Sequence, residues 1–163
     1  SLGHRRIAGF FKTDDLQGVR RMKGFMRAFR EHGVAAEPSL IVRYATEDKG
    51  SKPQQALRVM LKTNLPPTAL VCYNDELAVG FLDVIRELDL RVPEDLSIVG
   101  YDDSFLATAS EIKLTTIEHP KSALGELAAQ WLIDRLETGD DSAPKDKLYA
   151  PKLIERQSTA KPK

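Results

Sequence analysis

Apolar residues fall in two rhythms along this chain. Short, nearly unbroken apolar runs alternate with longer stretches whose apolar positions recur every three or four residues. The unbroken runs predict strands buried on both faces, and the longer spacing predicts helices with one apolar side. The first run is Ile7-Ala8-Gly9-Phe10-Phe11. It ends at Asp14-Asp15, where a carboxylate can cap a helix carrying Val19, Met22, Phe25, Met26 and Phe29 and stopping at Gly33. Leu40 to Tyr44 is a second strand. Ser51-Lys52-Pro53-Gln54 has the capping-box pattern and opens a helix with Leu57, Met60 and Leu61. After Pro66-Pro67, Thr68 to Tyr73 reads as a third strand, and Leu77, Ala78, Phe81, Leu82, Ile85 and Leu88 mark the next helix.

Leu96-Ser97-Ile98-Val99-Gly100 is the fourth strand, and it stops at Tyr101-Asp102-Asp103. A short irregular piece leads to a further strand, Leu114 to Glu118. His119-Pro120 starts the last helix, with Leu124, Leu127, Ala128, Trp131, Leu132 and Leu136 as its stripe and Gly139 at its end. Residues 140–147 read as a polar surface loop, 148–157 as extended chain, and the Lys/Pro terminus as frayed. Strands alternating with helices predict parallel βαβ units with right-handed crossovers. The fold class is therefore α/β, a doubly wound parallel sheet.

Composition narrows the class. The chain has 163 residues, 42% of them apolar, which is enough for a packed core. Lys+Arg and Asp+Glu both number 24. A neutral chain exerts little long-range pull on nucleic acid, so this stretch is not expected to bind DNA by itself. No apolar stretch approaches the ~20 residues that span a bilayer, and the N-terminal residues run straight into a strand without a signal-peptide pattern. A single cysteine, Cys72, excludes an internal disulfide and fits a reducing cytoplasm.

The strand ends carry the candidate chemistry. In a parallel sheet Asp14-Asp15, Asn74-Asp75 and Asp102-Asp103 all leave from one edge, where ligands of open α/β sheets bind. Asp14, Asp15 and Asp75 also suit helix capping; Asp102 is followed by no strong helix signal and suits a ligand. On the first helix, Arg20, Lys23, Arg27 and Arg30 share a solvated stripe, whereas Arg21 falls outside it beside the apolar arc. Its guanidinium can reach along the rim, either donating to a ligand or pairing with a rim carboxylate. Carboxylate, amide and guanidinium, with Tyr73, Tyr101 and Phe105 nearby, match a polyhydroxylated ligand, although both tyrosines also suit a core. Catalysis finds no support. Cys72 sits in an apolar strand without a basic neighbour in sequence, and no nucleophile elbow, phosphate loop or dinucleotide fingerprint is present. His4, His32 and His119 lack metal spacing, so no metal and no cofactor are expected. His119, before Pro120 at an element boundary, is a candidate ligand contact or a hinge residue.

Several segments resemble a known family. They are Gly3-His4-Arg5-Arg6-Ile7-Ala8, Arg21-Met22-Lys23-Gly24-Phe25, Tyr73-Asn74-Asp75-Glu76-Leu77-Ala78, the run from Val92 through Asp103, and Leu114-Thr115-Thr116-Ile117 with Pro120. Together they resemble the effector-binding domain of LacI/GalR-type bacterial repressors. Phe11-Lys12-Thr13-Asp14-Asp15, Cys72-Tyr73-Asn74-Asp75-Glu76 and His119-Pro120-Lys121-Ser122 are most similar to its arabinose-responsive branch.

The resemblance implies one flavodoxin-like lobe of a periplasmic-binding-protein-like domain. Residues 1–118 would form the second lobe, 119–139 a crossover helix belonging to the first lobe, and 140–163 return strands and a frayed end. Arg21, Asn74, Asp102 and His119 correspond to ligand-binding positions. His119 stands where other members often carry a glutamine, and Tyr44 lies near the position of a stacking aromatic. The resemblance further implies a cytoplasmic homodimer with a sugar effector, L-arabinose first among candidates. Operator DNA would be reached only through a DNA-binding domain outside this chain, similar to a GntR-type winged helix. Two rival expectations remain: a periplasmic-type sugar-binding protein for transport, and a small α/β enzyme using Asp102 or Cys72.

Overall fold

The apolar runs pair side by side, as parallel strands buried on both faces should. The computed structural model describes residues 2–139 and 146–163. Strands β1 (Ile7–Lys12), β2 (Ile41–Tyr44), β3 (Ala69–Cys72) and β4 (Ser97–Val99) form a parallel sheet in the order β2-β1-β3-β4. Helices α1 (Leu16–Glu31), α2 (Lys52–Leu61) and α3 (Asp75–Glu87) make the three crossovers. Beyond β4 come a short helix α4 (Phe105–Ala109), strand β5 (Thr116–Glu118), helix α5 (Lys121–Thr138) and strand β6 (Lys152–Ile154). β5 is continued onto the sheet by parallel bridges from Thr115 to Val99 and from Glu118 to Asp102, and β6 pairs with it antiparallel.

Register decides which helix covers which face. Phe10 points to α3, its ring 4.6 Å from Phe81, while Phe11 points the opposite way, 5.3 Å from Phe25 of α1. Leu57, Leu70, Phe81, Ile85 and Ile98 are fully buried between the sheet and α2 and α3. Each such side chain contributes roughly 1.5–3 kcal/mol by leaving water. On the other face α1 presses onto β1. A Cβ on Gly18 would lie 2.2 Å from the Lys12 carbonyl oxygen, so only glycine lets the helix approach this closely.

Three expectations are corrected. The capping box at Ser51 is not realised: the Ser51 hydroxyl makes no cap bond. A 3-10 turn (Thr46–Asp48) leads into the helix and Ser51 donates its N–H to Asp48, so the residue has ψ −57° rather than the extended backbone that aims a capping hydroxyl. The irregular piece after Asp103 contains a one-turn helix, α4, whose N-cap residue Ser104 makes no side-chain cap and donates its N–H to Asp75 Oδ2. The terminus is not frayed. Ser158 is fully buried: its carbonyl accepts from Ile98 N at 2.8 Å, and its hydroxyl accepts from Thr115 N at 2.8 Å. Buried strand-edge groups need partners, and the tail supplies them along the outer edge of β4. The expected loop at 140–147 falls mostly on residues 140–145, outside the described residues.

Candidate functional site

The parallel sheet brings the ends of β1, β3 and β4 to one rim, and the backbone at Asp102 sets the site there. Asp102 and Asp103 both have positive φ, 109° and 42°. Such backbone is unusual for residues other than glycine and costs on the order of 1–3 kcal/mol where the surroundings impose it. Here Asp102 N donates to Ile117 O at 2.8 Å, and the turn sends the two carboxylates different ways. Asp103 is held by Arg156 at 2.7 Å. Asp102 faces α1, where Arg21 Nη2 donates to its Oδ1 at 3.2 Å.

Arg21 is clamped. Its guanidinium lies 3.6 Å from the centre of the Tyr101 ring and 4.7 Å from that of Tyr73, and Nη1 donates to the Tyr73 carbonyl. Stacking between two aromatic faces fixes the planar fork and leaves it mostly buried. His119 Nδ1 stands 3.8 Å from Asp102 Oδ1. Gln17, Arg20, Arg21, Tyr101 and His119 line a cavity of about 180 Å³ over this group. Burial raises the Asp102 pKa above the ordinary carboxylate value, and it outweighs the opposing pull of Arg21.

Asn74 stands apart from these three. Its Oδ1 accepts from Leu77 N at 3.0 Å and caps α3. The side chain lines a second cavity, of about 440 Å³, with Tyr44, Tyr73 and Gln54. Tyr73 lines the second cavity and also touches the Arg21 group. Its ring stacks on Arg21 and its hydroxyl donates to Asp15 Oδ2 at 2.8 Å. The structure thus gathers Arg21, Asp102 and His119, while Asn74 lines the other cavity. The Arg21–Asp102 ion pair, one of the two sequence readings, is formed.

Residues 1–159 match the periplasmic binding protein-like domain. The chain belongs to that family. Within this family it is 54% identical to the arabinose metabolism transcriptional repressor of Halalkalibacterium halodurans, over 99% of the chain and 44% of that protein. It is 53% identical to the repressor of the same name from Geobacillus stearothermophilus, over 97% of the chain and 44% of that protein. A LacI-family regulator from Enterococcus faecium, solved with bound ribose, superposes with a TM-score of 0.83 at 29% identity, covering 99% of this chain and 59% of that one. The chain thus spans less than half the length of these curated relatives. They are transcriptional repressors, not enzymes. Among the described residues no helix is long and apolar enough to cross a membrane.

Open α/β sheets bind ligands at the carboxyl ends of their strands, and the other strand-end acids here are structural. Asp14 accepts from Thr46 N at 2.7 Å, and Asp15 caps α1 through Gly18 N at 2.6 Å. Asp75 is fully buried; it accepts from Thr116 Oγ1 at 2.6 Å and from Ser104 N at 2.7 Å, joining α3 to β5 and α4. Cys72 is buried, which pushes its thiol far above the ordinary range, so it is not a poised nucleophile. Sequence reasoning missed Gln17, and left Tyr101 between a ring that covers the ligand and a core residue. The signal for Gln17 was available: it lies one helical turn before Arg21, on the same face.

Proposed function

We propose that this chain is the effector-binding second lobe of an arabinose-type transcriptional repressor, and that Arg21, Asp102, His119 and Asn74 contact the sugar. The observation that carries this reading is the clamped Arg21 bonded to Asp102 beneath a cavity at the strand ends. A sugar hydroxyl both donates and accepts. It can donate to the Asp102 carboxylate while accepting from Arg21, replacing one ion pair with two charge-assisted bonds. Tyr101 and Tyr73 hold the guanidinium in place before the ligand arrives, which lowers the ordering cost of binding. Similarity to arabinose metabolism repressors supports L-arabinose as the effector.

In this reading residues 119–139 form the helix that crosses to a first lobe, and the sugar closes the two lobes on each other. Closure shifts the population of the DNA-binding geometry because the effector binds one state better than the other. The repressor acts in the cytoplasm as a homodimer, through α3 and the residues after Asp103. Phe105 on that surface is 81% exposed, an unusual place for a phenylalanine unless a partner covers it. Operator DNA is contacted by a domain outside this chain. Calorimetric titration of the longer repressor with L-arabinose, D-xylose and D-galactose tests the assignment. The reading expects heat for arabinose that is lost in Asp102→Ala. Equal heats for the three sugars, or none, would overturn it.

A further inference from the structure

Every residue of the turn that carries Asp102 is tied to another element. The Tyr101 carbonyl accepts from Asp75 N at 2.9 Å, and Asp102 N donates to Ile117 O at 2.8 Å. Asp103 Oδ1 accepts from Arg156 Nη2 at 2.7 Å, and Ser104 N donates to Asp75 Oδ2 at 2.7 Å. These ties differ in kind. Those at Tyr101, Asp102 and Ser104 use backbone atoms of the turn, which any residue supplies. At Asp103 the bond joins two side chains, so the residue types are specified. Among the described residues the Asp103 carboxylate is bonded by Arg156 alone.

Arg156 is itself anchored. It follows β6, its N–H donates to Thr115 Oγ1 at 3.0 Å, and its Nη1 donates to Leu114 O at 2.9 Å. Leu114 is fully buried, so this anchor belongs to the core. A planar guanidinium that binds a core carbonyl with one nitrogen and a carboxylate with the other fixes the second against the first. The two side chains are 19% and 26% exposed, so solvent screens the pair less than it screens a surface pair.

Backbone strain gives this bond its consequence. Asp102 and Asp103 hold φ of 109° and 42°. Residues other than glycine keep such angles only where the surroundings impose them. A turn that relaxed to negative φ would swing the Asp102 side chain away from Arg21 Nη2, which lies 3.2 Å from its Oδ1.

We infer that Arg156 is a positioning residue for the sugar site: it holds Asp103, and through it the strained turn that aims Asp102 at Arg21. The effect on affinity rests on the reading of Asp102 as a sugar contact. The effect on the turn needs no ligand.

Three-bond HN–Hα couplings and L-arabinose titration of the isotope-labelled chain test this in Arg156→Met, Asp103→Gly and the double variant. Glycine adopts the Asp103 backbone without strain, so that variant separates the missing side-chain bond from the backbone shape. In all three the Asp102 coupling should move to the value of ordinary negative φ. Affinity should fall roughly tenfold or more, as when one charge-assisted bond is lost. The double variant should lose no more than either single one, because both remove the same interaction. Arg156→Lys should restore part of the loss, since an ammonium keeps the charge but not the fork. If Arg156→Met does not fold, Arg156→Lys and Asp103→Gly carry the same test. An Asp102 coupling unchanged in the folded variants overturns the proposal, whatever happens to binding. So do losses that multiply in the double variant. A coupling that moves while binding ignores even Asp102→Ala overturns the sugar reading and still supports Arg156 as the residue that holds the turn.

Discussion

Asp75 and Asp102 leave neighbouring strands at the same rim, yet they do opposite work. Asp75 is fully buried and both its oxygens accept from the protein, at 2.6 and 2.7 Å. Asp102 is partly open and on strained backbone; among the described residues Arg21 alone donates a hydrogen bond to its carboxylate, with His119 close by. A carboxylate whose oxygens are all bound inside the fold holds elements together. One left with unused acceptor capacity beside a fixed guanidinium can exchange its internal partner for a ligand. The difference separates a structural acid from the one proposed to meet a ligand, among residues that look alike in sequence.

The comparison breaks most visibly at Asp75. Asp75→Ala leaves Thr116 Oγ1 and Ser104 N without acceptors in the interior, and each orphaned group costs about 1–3 kcal/mol. A loss of roughly 2–5 kcal/mol in urea unfolding is expected. Gly100→Ala should act in the same direction, since its Cβ would fall 2.2 Å from Asp75 Oδ1. Asp102→Ala should shift the urea midpoint far less, by an amount equivalent to about 1 kcal/mol or under, because its ion pair is partly solvated and its strained backbone remains.

Acid titration sharpens the contrast further. Burial raises Asp102 in the folded chain, so the fold binds that proton more tightly than the unfolded chain does. The group therefore favours folding most at low pH, and its cost appears as pH rises from 3.8 through the raised value. Asp102→Asn should remove that part of the pH dependence of urea unfolding. The proposed sugar binding has the opposite sense: it needs the carboxylate, so affinity should fall as pH drops through the same window. The smallest effect is expected at half-buried Asp95, which Lys163 and Arg91 hold down at about 2. Its contribution is present above 3.8 and is lost as pH falls towards 2; Asp95→Asn should flatten unfolding curves only in that window.

Much of the fold was legible because unbroken apolar runs and helical spacing are strong signals. Phe10, Leu70 and Ile98 were core from their pattern alone. The docked tail was not legible: Ser158 is a polar residue in a Lys- and Pro-rich end, and it is buried only because β4 has an open edge beside it. Ser51 misled because a capping-box spelling does not specify the backbone that enters the helix. At the site, Arg21 was found as the one basic residue off the solvated stripe. The depth of Asp75 escaped, since an Asn-Asp pair before a helix reads as a cap from either residue, and only the fold brings Thr116 and Gly100 against it.

The account rests on the rim group of Arg21, Asp102 and His119 as the place where a sugar lands. An amide-resolved NMR titration of the isotope-labelled chain with L-arabinose tests this most directly. The account predicts that saturable shifts concentrate at residues 17–21, 73–74, 101–103 and 119 and vanish in Asp102→Ala. Shifts centred away from these residues, or a pattern unchanged by Asp102→Ala, would contradict it.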